Sequence, residues 1–386
     1  MQQGQYYYYF LLLGLLLFSC NEPKQGDVPV IPVDIENNTV LQLPLSEITE
    51  SITAIELELT DKSLIHPRRI RRIILSDDMI IIAQSTNILL FNRNGTFVRS
   101  IGSIGQGPGE YAHISNITID ETNGRLFVNC STKIICYDLQ GNALMESSIP
   151  QSNSKRLLWD INWFNNEILL VAQSMGNEDE KGVFDHAEVL RLNDNLQIID
   201  SSTILKFYGS AGFSTSAFED FILISDSIVY LYYPFSTAVR PDLIGKIERK
   251  KTVLRDTLYR FENNQLIPDL KLKFNNDGID FDGYMFINLF MVYRSSRYIF
   301  AHYVDYSKGI NDNDFHFVYN FCYDTKTGKG YRVENSRYTD DINHIEEVII
   351  RPVQTNPELF YYWHTHMKPG NLEEPNPTLY IGKLKK

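Results

Sequence analysis

The chain has 386 residues, of which 43% are hydrophobic and 22% charged, and its formal net charge is −12 at pH 7. This hydrophobic share is that of an ordinary globular protein, which excludes a wholly disordered or fibrous chain. Because an acidic surface repels phosphate backbones, we expect no nucleic-acid partner.

The first nineteen residues are typical of an export signal. Tyr6 to Phe18 is an uncharged, apolar run of 13 residues. As a helix it covers roughly 20 Å, too little to span a ~30 Å bilayer core, so it fits the hydrophobic part of a signal peptide. The run ends in Leu17-Phe18-Ser19-Cys20, which resembles a bacterial lipobox. We therefore predict removal of residues 1–19, acylation of Cys20 and a lipid-anchored protein of the cell envelope, in the outer membrane. Met1 to Gln5 lacks the usual Lys or Arg, so an ordinary signal peptide or a weak anchor stays open as the alternative.

Residues 20–45 are rich in proline, asparagine and polar side chains and predict a tether. Residues 46–386 predict one all-β domain, because apolar runs of four to eight residues alternate with Asn, Asp and Gly turns.

The strands recur as a unit. Asn87–Gly95 and Lys133–Gly141 are equivalent runs, 46 residues apart, and each ends in a glycine-containing turn suited to a tight hairpin. Two strands precede each run and one follows it. Four antiparallel strands in about 45 residues are the signature of a propeller blade.

The same rhythm continues with insertions through units at 157–202, 218–274 and 287–333, and a sixth unit offers only three strands, at 344–351, 359–364 and 378–383. Ser51–Leu59 is available to complete it and to remove the exposed edge. We predict a six-bladed β-propeller of four-stranded antiparallel blades, closed by this N-terminal strand; five or seven blades stay open, since the later units are less regular.

A glycine-rich segment, Ile101 to Tyr111, separates the first two units. Its glycines and Pro108 exclude a strand interior and predict a crossover between blades. It contains no GxxxxGK[ST] motif, so it does not predict a phosphate loop. The GxGPGEY sequence at 105–111, with the strands at 116–120, 125–128 and 134–141, resembles NHL-repeat propellers, in particular the six-bladed propeller lipoproteins of the Bacteroides type. That resemblance implies the fold and the lipid anchor and implies no activity. Cys130 departs from the Asp that is common there.

The densest basic run, His66 to Arg72, enters the first inner strand. Arg68, Arg69, Arg71 and Arg72 are our candidate ligand-binding residues, because arginine binds carboxylates and acidic sugars bidentately. Strand alternation pairs Arg69 with Arg71 and Arg68 with Arg72. The alternative is an exposed strand start that balances the acidic surface.

Other candidates are weaker. His364 and His366 share one face of a strand but lack a third metal ligand nearby. The acidic run at 275–283 fails the EF-hand register, because Lys273 would occupy its first ligand position, and the run at 311–314 has an ordinary turn composition, so we predict no metal and no cofactor. Cys130, Cys136 and Cys322 lie in apolar runs and predict buried side chains. The three tryptophans are candidates for a sugar platform, although packing between blades is the commoner role; they are Trp159, Trp163 and Trp363.

No GxSxG or HExxH motif is present, so the sequence assigns no catalytic residue. We interpret the chain as a binding or scaffolding propeller for a glycan, a peptide or an envelope protein, rather than an enzyme. The alternative is a lactonase- or lyase-like propeller that acts on a sugar-derived substrate at the channel mouth.

Overall fold

A computed structural model describes most of the chain. The described residues are 28–33, 39–40, 42–149, 156–208, 213–214, 221–225, 227–234, 236–237, 256–274, 287–305, 317–334, 337–366 and 375–386. Within these ranges, no helix has the length and apolar character needed to cross a membrane. Cys20 and the acidic runs at 275–283 and 311–314 lie outside the described residues.

The N-terminal part of the chain supplies four strands and two short helical turns. The strands are β1 (Val30–Val33), β2 (Thr39–Val40), β3 (Leu43–Pro44) and β4 (Thr49–Glu56). The turns are the helix α1 (Leu45–Ile48) and a 3₁₀ turn (Pro67–Arg69).

The remaining strands form seven blades. Blade 1 contains β5 (Ile70–Leu75), β6 (Met79–Gln84), β7 (Ile88–Asn92) and β8 (Phe97–Ser100). Blade 2 contains β9 (Asn116–Asp120), β10 (Arg125–Asn129), β11 (Lys133–Asp138) and β12 (Ala143–Ser148). Blade 3 contains β13 (Arg156–Phe164), β14 (Glu167–Asp179), β15 (Gly182–Leu192) and β16 (Ile198–Tyr208). Next in the chain come β17 (Phe213–Ser214), β18 (Ile222–Ser225), β19 (Ile228–Leu231), β20 (Ser236–Thr237), β21 (Thr257–Glu262) and β22 (Gln265–Phe274). Blade 4 is β18, β19, β21 and β22 with β1 at its edge, and β17 pairs with β20 apart from it.

The last three blades also use N-terminal strands. Blade 5 contains β23 (Ile287–Arg294), β24 (Tyr298–Asp305), β25 (Phe317–Asp324) and β26 (Lys329–Glu334), with β2 at its edge. Blade 6 is a small sheet of β27 (Tyr338–Asp340), β28 (Ile345–Val348) and β3. Blade 7 contains β29 (Arg351–Val353), β30 (Asn356–His364), β31 (Thr378–Leu384) and β4.

The prediction of six blades is wrong: the structure has seven. The sequence assigned 344–351 to one strand of the last blade, but Ile345–Val348 pairs with Tyr338–Asp340 in a separate sheet, and a new strand begins at Arg351. This blade escaped detection because its strands have only two to four residues and one of them comes from Leu43–Pro44. The closing strand itself is confirmed, since β4 pairs antiparallel with β31 from Glu56–Thr378 to Thr49–Leu384.

The described segments 30–33, 39–40 and 42–56 form what we call the N-terminal belt, which runs along blades 4 to 7. β1 pairs in parallel with β22, β2 with β26 and β3 with β27, before β4 completes blade 7. The structure therefore corrects part of the predicted tether, because Val30–Val33, Thr39–Val40 and Leu43–Pro44 are strands of the propeller. The reason is hydrophobic: Val33, Leu43 and Leu45 are at most 3% exposed, and their burial anchors a proline-containing segment that looks polar overall.

The hydrophobic core lies between blades. One buried cluster fills each of the seams 1/2, 2/3, 3/4, 4/5 and 7/1, and another spans blades 5 to 7. Trp163 belongs to this packing, since its ring stacks on Phe127 of blade 2 at 5.3 Å between centroids. Cys136 and Cys322 are fully buried, as predicted, whereas Cys130 is only half-buried.

Candidate functional site

The centre of the ring is filled by a network around Arg72. Its guanidinium is 1% exposed, and it donates to the carbonyl oxygens of Ile117 at 2.9 Å and Ile161 at 2.8 Å. It also pairs with the carboxylate of Asp160, at 2.6 Å between Nη2 and Oδ1. One side chain of blade 1 therefore holds the inner strands of blades 2 and 3.

Asp160 extends this network to blade 4. Its Oδ2 accepts hydrogen bonds of 2.9 Å from the backbone N–H groups of Phe221 and Ile222, and its Oδ1 accepts a third, of 3.2 Å, from Asn116. From the opposite side of the ring, the Gln354 amide donates to the carbonyl of Ile222 at 3.1 Å. A small cavity lined in part by Gln354 and Thr118 has a volume of about 10 Å³, room for roughly one water.

The first inner strand begins at a face of the ring that we call the entry face, marked by Arg68, Arg69, His113 and Arg156. A blade built from an even number of antiparallel strands starts and ends at the same face, so every inner strand starts here. Crossovers between blades and the starts of inner strands converge on this face. It is the region of the fold where loop side chains are available to a ligand.

The four candidate arginines occupy three different environments. Arg68 and Arg69 are exposed on the 3₁₀ turn before β5. Arg71 is half-buried at a bulge, because the pairing register of β5 with β6 shifts between Ile70 and Arg72. That bulge breaks the strand alternation on which we had paired the arginines. Arg72 points into the ring centre, so of the four only Arg68, Arg69 and Arg71 lie at the entry face, and ligand binding by them stays a prediction.

His113 adds a titratable group to this arginine cluster. Burial, and then the neighbouring charge of Arg71, lower the pKa of His113. The imidazole is therefore largely neutral at pH 7, and it offers a ligand a hydrogen bond rather than a further positive charge.

Blade 3 projects over the entry face as a long hairpin, which the sequence analysis missed. Arg156, the first residue of its inner strand, pairs with Ser174, so β14 continues beyond it to Asp179. At the tip, Asp179 pairs with Lys206 at 2.6 Å and accepts a hydrogen bond of 2.7 Å from the Tyr208 hydroxyl. These two contacts lower the pKa of Asp179 to about 2. The sequence did not reveal that β14 has 13 residues, because the C-terminal half of this strand is polar and has the composition of a turn.

The aromatic side of this hairpin carries a lysine. Lys206 Nζ lies 3.8 Å from the centroid of Phe184, and the ring of Tyr208 lies 5.5 Å from that of Phe184. His186 lies on the same hairpin, and its ring nitrogen is 3.0 Å from the Thr203 hydroxyl. The hairpin thus presents a small rigid group of aromatic and charged side chains beside the mouth.

The histidine pair is used within blade 7. The rings of His364 and His366 lie 4.7 Å apart, and His366 Nε2 is 2.7 Å from the Tyr380 hydroxyl. Burial and the neighbouring His366 lower the pKa of His364. Within the described residues, no group of three His, Cys, Asp or Glu side chains is arranged to hold a metal ion.

The glycine-rich crossover satisfies its own amide groups. The N–H of Gly107 donates to Glu110 at 2.9 Å, and the N–H of Gly109 donates to Glu146 at 3.0 Å. Carboxylates of the chain already occupy the positions that a phosphate would take. The Tyr137 hydroxyl donates to the carbonyl of Gly109 at 2.8 Å and fixes the loop against blade 2.

The fold and this filled ring centre define a β-propeller, and comparison with known proteins gives its family. The chain belongs to the family described as "domain of unknown function (DUF4934)", whose model matches residues 28–384. No curated protein matches the chain. The resemblance to NHL-repeat propellers stays a prediction.

Three solved structures are similar to the chain to different degrees. A predicted exported protein of Bacteroides fragilis NCTC 9343 is 16% identical, with a TM-score of 0.60 over 92% of this chain and 100% of that one. The extracellular domain of a predicted hybrid two-component system of B. thetaiotaomicron is 11% identical, with a TM-score of 0.38 over 81% of this chain and 33% of that one. The WD40 domain of Neurospora crassa Pan2 is also 11% identical, with a TM-score of 0.38 over 82% of this chain and 76% of that one. At these identities, the B. fragilis protein supports the propeller fold alone.

Proposed function

We propose that this propeller is a binding module of the cell envelope, anchored by a lipid at Cys20, and that its ligand carries carboxylate groups. The ligand is an acidic glycan, a peptide or a partner protein, and it docks on the entry face. The observation that carries the proposal is the arginine cluster of Arg68, Arg69 and Arg71 in a chain with a net charge of −12. Such a local reversal of the field attracts an anionic group and orients it.

The buried network around Arg72 favours docking on the surface rather than inside a channel. Arg72, Asp160 and Gln354 bond to one another or to inner strands from the side of the ring axis, so we expect a sugar-sized ligand to bind at the entry face rather than among them. The hairpin of blade 3 gives this face a raised rim with exposed aromatic and charged groups. These features favour a scaffold or receptor surface.

The test is a binding array of acidic and neutral glycans and peptides, probed with the purified full chain. We expect acidic ligands to bind, and the double variant Arg68→Gln/Arg69→Gln to weaken binding at least tenfold, as expected for the loss of charge-assisted hydrogen bonds. Arg72 stays unchanged because it belongs to the internal network. The matched control is Arg99→Gln, an exposed arginine on the outer strand β8.

Three results would overturn the proposal. Binding that is unaltered in the double variant would remove the arginines from the site. An equal loss of affinity in Arg99→Gln would show that the effect comes from the net charge of the protein and not from the entry face. A turnover product released from an array ligand would move the protein to the enzyme alternative.

A further inference from the structure

A second cleft lies away from the entry-face site, at the seam where blade 7 meets blade 1. Its volume is about 460 Å³, and its lining comes from one strand edge and one turn. The lining residues are Thr53–Glu56, Arg93, Asn94 and Ile381.

The cleft contacts the backbone edge of β4. Four consecutive residues, Thr53 to Glu56, line it, whereas one face of a strand would contribute only every second residue. β4 is the last strand in the order of its sheet, with β31 on its other side. Thr53, Ala54 and Glu56 are exposed. An edge of this kind presents backbone donors and acceptors to an incoming strand.

Arg93 supplies a fixed cation beside this edge. It lies in the tight turn between β7 and β8, where the backbone N–H of Gly95 donates to Asn92 at 2.9 Å and the carbonyl of Gly95 accepts from Glu58 at 2.9 Å. Gly95 has φ +91°, and a Cβ there would lie 2.0 Å from the carbonyl oxygen of Glu56, so the turn is pressed against the chain that leaves β4. The position of Arg93 relative to the strand edge is therefore set by the closed ring.

The Arg93 guanidinium is incompletely satisfied. Its Nη1 is buried and has no hydrogen-bond partner within the part of the chain that the structure describes. A buried donor without an acceptor costs about 1–3 kcal/mol, and a carboxylate that reached this nitrogen from the cleft would remove that cost. Glu56 also lines the cleft, so the charged lining residues are one cation and one anion, and a polyanion gains little there.

The molecule already binds extended segments at blade edges. Val30–Val33 adds to the edge of blade 4 in parallel with Lys271–Phe274, and its alternate side chains Ile31 and Val33 are 8% and 1% exposed. The edge of blade 7 differs from that of blade 4, because the cleft and the Arg93 side chain, with its unbonded Nη1, lie beside β4.

We propose that the seam cleft is a docking site for an extended peptide segment of another protein, one that carries an acidic residue. The peptide adds to the open edge of β4 through main-chain hydrogen bonds, and its carboxylate pairs with Arg93. Edge addition supplies affinity, and the charged pair supplies the register and the preference for an acidic side chain. This site does not depend on the proposed function of the entry face.

The test uses fluorescence anisotropy of the purified full chain with a labelled heptapeptide of alternating Val and Thr that contains one Asp. We expect saturable binding, weakened at least tenfold when Asn replaces the Asp or when Arg93→Gln is introduced. Arg99→Gln, on the same blade but outside the cleft, is the control and should bind like the parent. A thermal melt of each variant shows that it is folded.

A second probe tests the strand addition without altering the protein. The same heptapeptide with alternate amides N-methylated lacks donors along one edge and should not bind if the β4 edge is the receptor. Equal binding of the methylated peptide, or binding that is unchanged in Arg93→Gln, would overturn the proposal. Self-association of the chain that Arg93→Gln abolishes, without peptide binding, would assign the cleft to a second copy and would also overturn it.

Discussion

Arg72 of the first blade and Asp160 of the third are joined by a buried ion pair of 2.6 Å at the centre of the ring. Both side chains are at most 1% exposed, and they bond to backbone groups of blades 2, 3 and 4. The pair therefore acts on the arrangement of blades around the axis, which the clusters between neighbouring blades do not fix on their own.

The first prediction concerns this pair. Arg72→Met leaves the Asp160 charge buried without its cation, and we expect the free energy of unfolding to fall by about 3–5 kcal/mol. The double variant Arg72→Met/Asp160→Asn should recover part of this loss, because a neutral amide still accepts from Phe221 and Ile222. Urea unfolding of the three proteins measures both effects. A double variant less stable than Arg72→Met would show that the charge was not the cause.

The second prediction is a pH dependence. Arg297 holds the pKa of Asp324 well below its usual range through two hydrogen bonds, of 2.9 and 2.7 Å. Because the pKa of Asp324 is lower in the folded chain than in the unfolded chain, its ionised carboxylate stabilises the fold. This stabilisation is fully present above the unfolded-chain pKa of about 3.9, and it is lost as the pH falls from there towards the folded-chain pKa. Asp324→Asn should therefore lower the melting temperature at pH 7, and its difference from the parent should shrink between pH 4 and pH 2. The exposed Asp61→Asn is the control, and a difference that stays constant with pH would contradict the prediction.

The third prediction concerns the thiols. Burial raises the pKa of Cys130 to about 12 and that of Cys136 to about 11, and it raises the pKa of Cys322 well above its usual range. At pH 8 all three stay protonated, so iodoacetamide should modify them slowly in the folded chain and rapidly in urea. Peptide mapping by mass spectrometry distinguishes the sites. Rapid labelling of Cys130 in the native protein would contradict its burial.

The fourth prediction tests the proposed anchor. Mass spectrometry of the mature protein should find an acylated Cys20 as the first residue, and Cys20→Ala should release the protein from the membrane fraction. Cys130→Ala, a change at a structural cysteine, is the matched control and should remain anchored. A mature chain that begins at another residue would exclude the lipobox.

The fifth prediction addresses the N-terminal belt. Val33 is 1% exposed between blades 4 and 5, and the backbone N–H of Lys271 donates to Pro29 at 2.9 Å. Val33→Asp should detach β1, because an unpaired carboxylate cannot stay in that core. Hydrogen exchange should then speed up along β22 while β4 and β31 stay protected. Val30→Asp, on the same strand at an exposed position, is the control, and equal exchange in both variants would contradict a packed belt.

The sequence predicted those parts of the ring that are regular over short distances. The first two blades were found because Gly95 and Gly141 end equivalent hairpins at φ +91° and +94°. The closing strand was found because its residues alternate and the last unit lacked a partner.

The parts that were missed depend on contacts between distant residues. The sixth blade combines Leu43–Pro44 with strands near residue 340, and no local pattern indicates that pairing. The internal role of Arg72 depends on a bulge at Arg71 and on an aspartate 88 residues away. For the same reason the seam cleft was not foreseen, since Arg93 and the β4 edge meet only when the ring closes.

The N-terminal belt also determines the order in which the blades can be completed while the chain is being synthesised. Its residues leave the ribosome first, yet the strands that receive them are synthesised about 240 to 335 residues later. Such distant pairing is slow, because a long loop must close before any contact stabilises it. Blades 1 to 3 have all their strands early, whereas blades 4 to 7 wait for a segment that was made before them. The last strand, β31, completes blade 7 by pairing with β4, so the ring closes only after Leu384 has been synthesised.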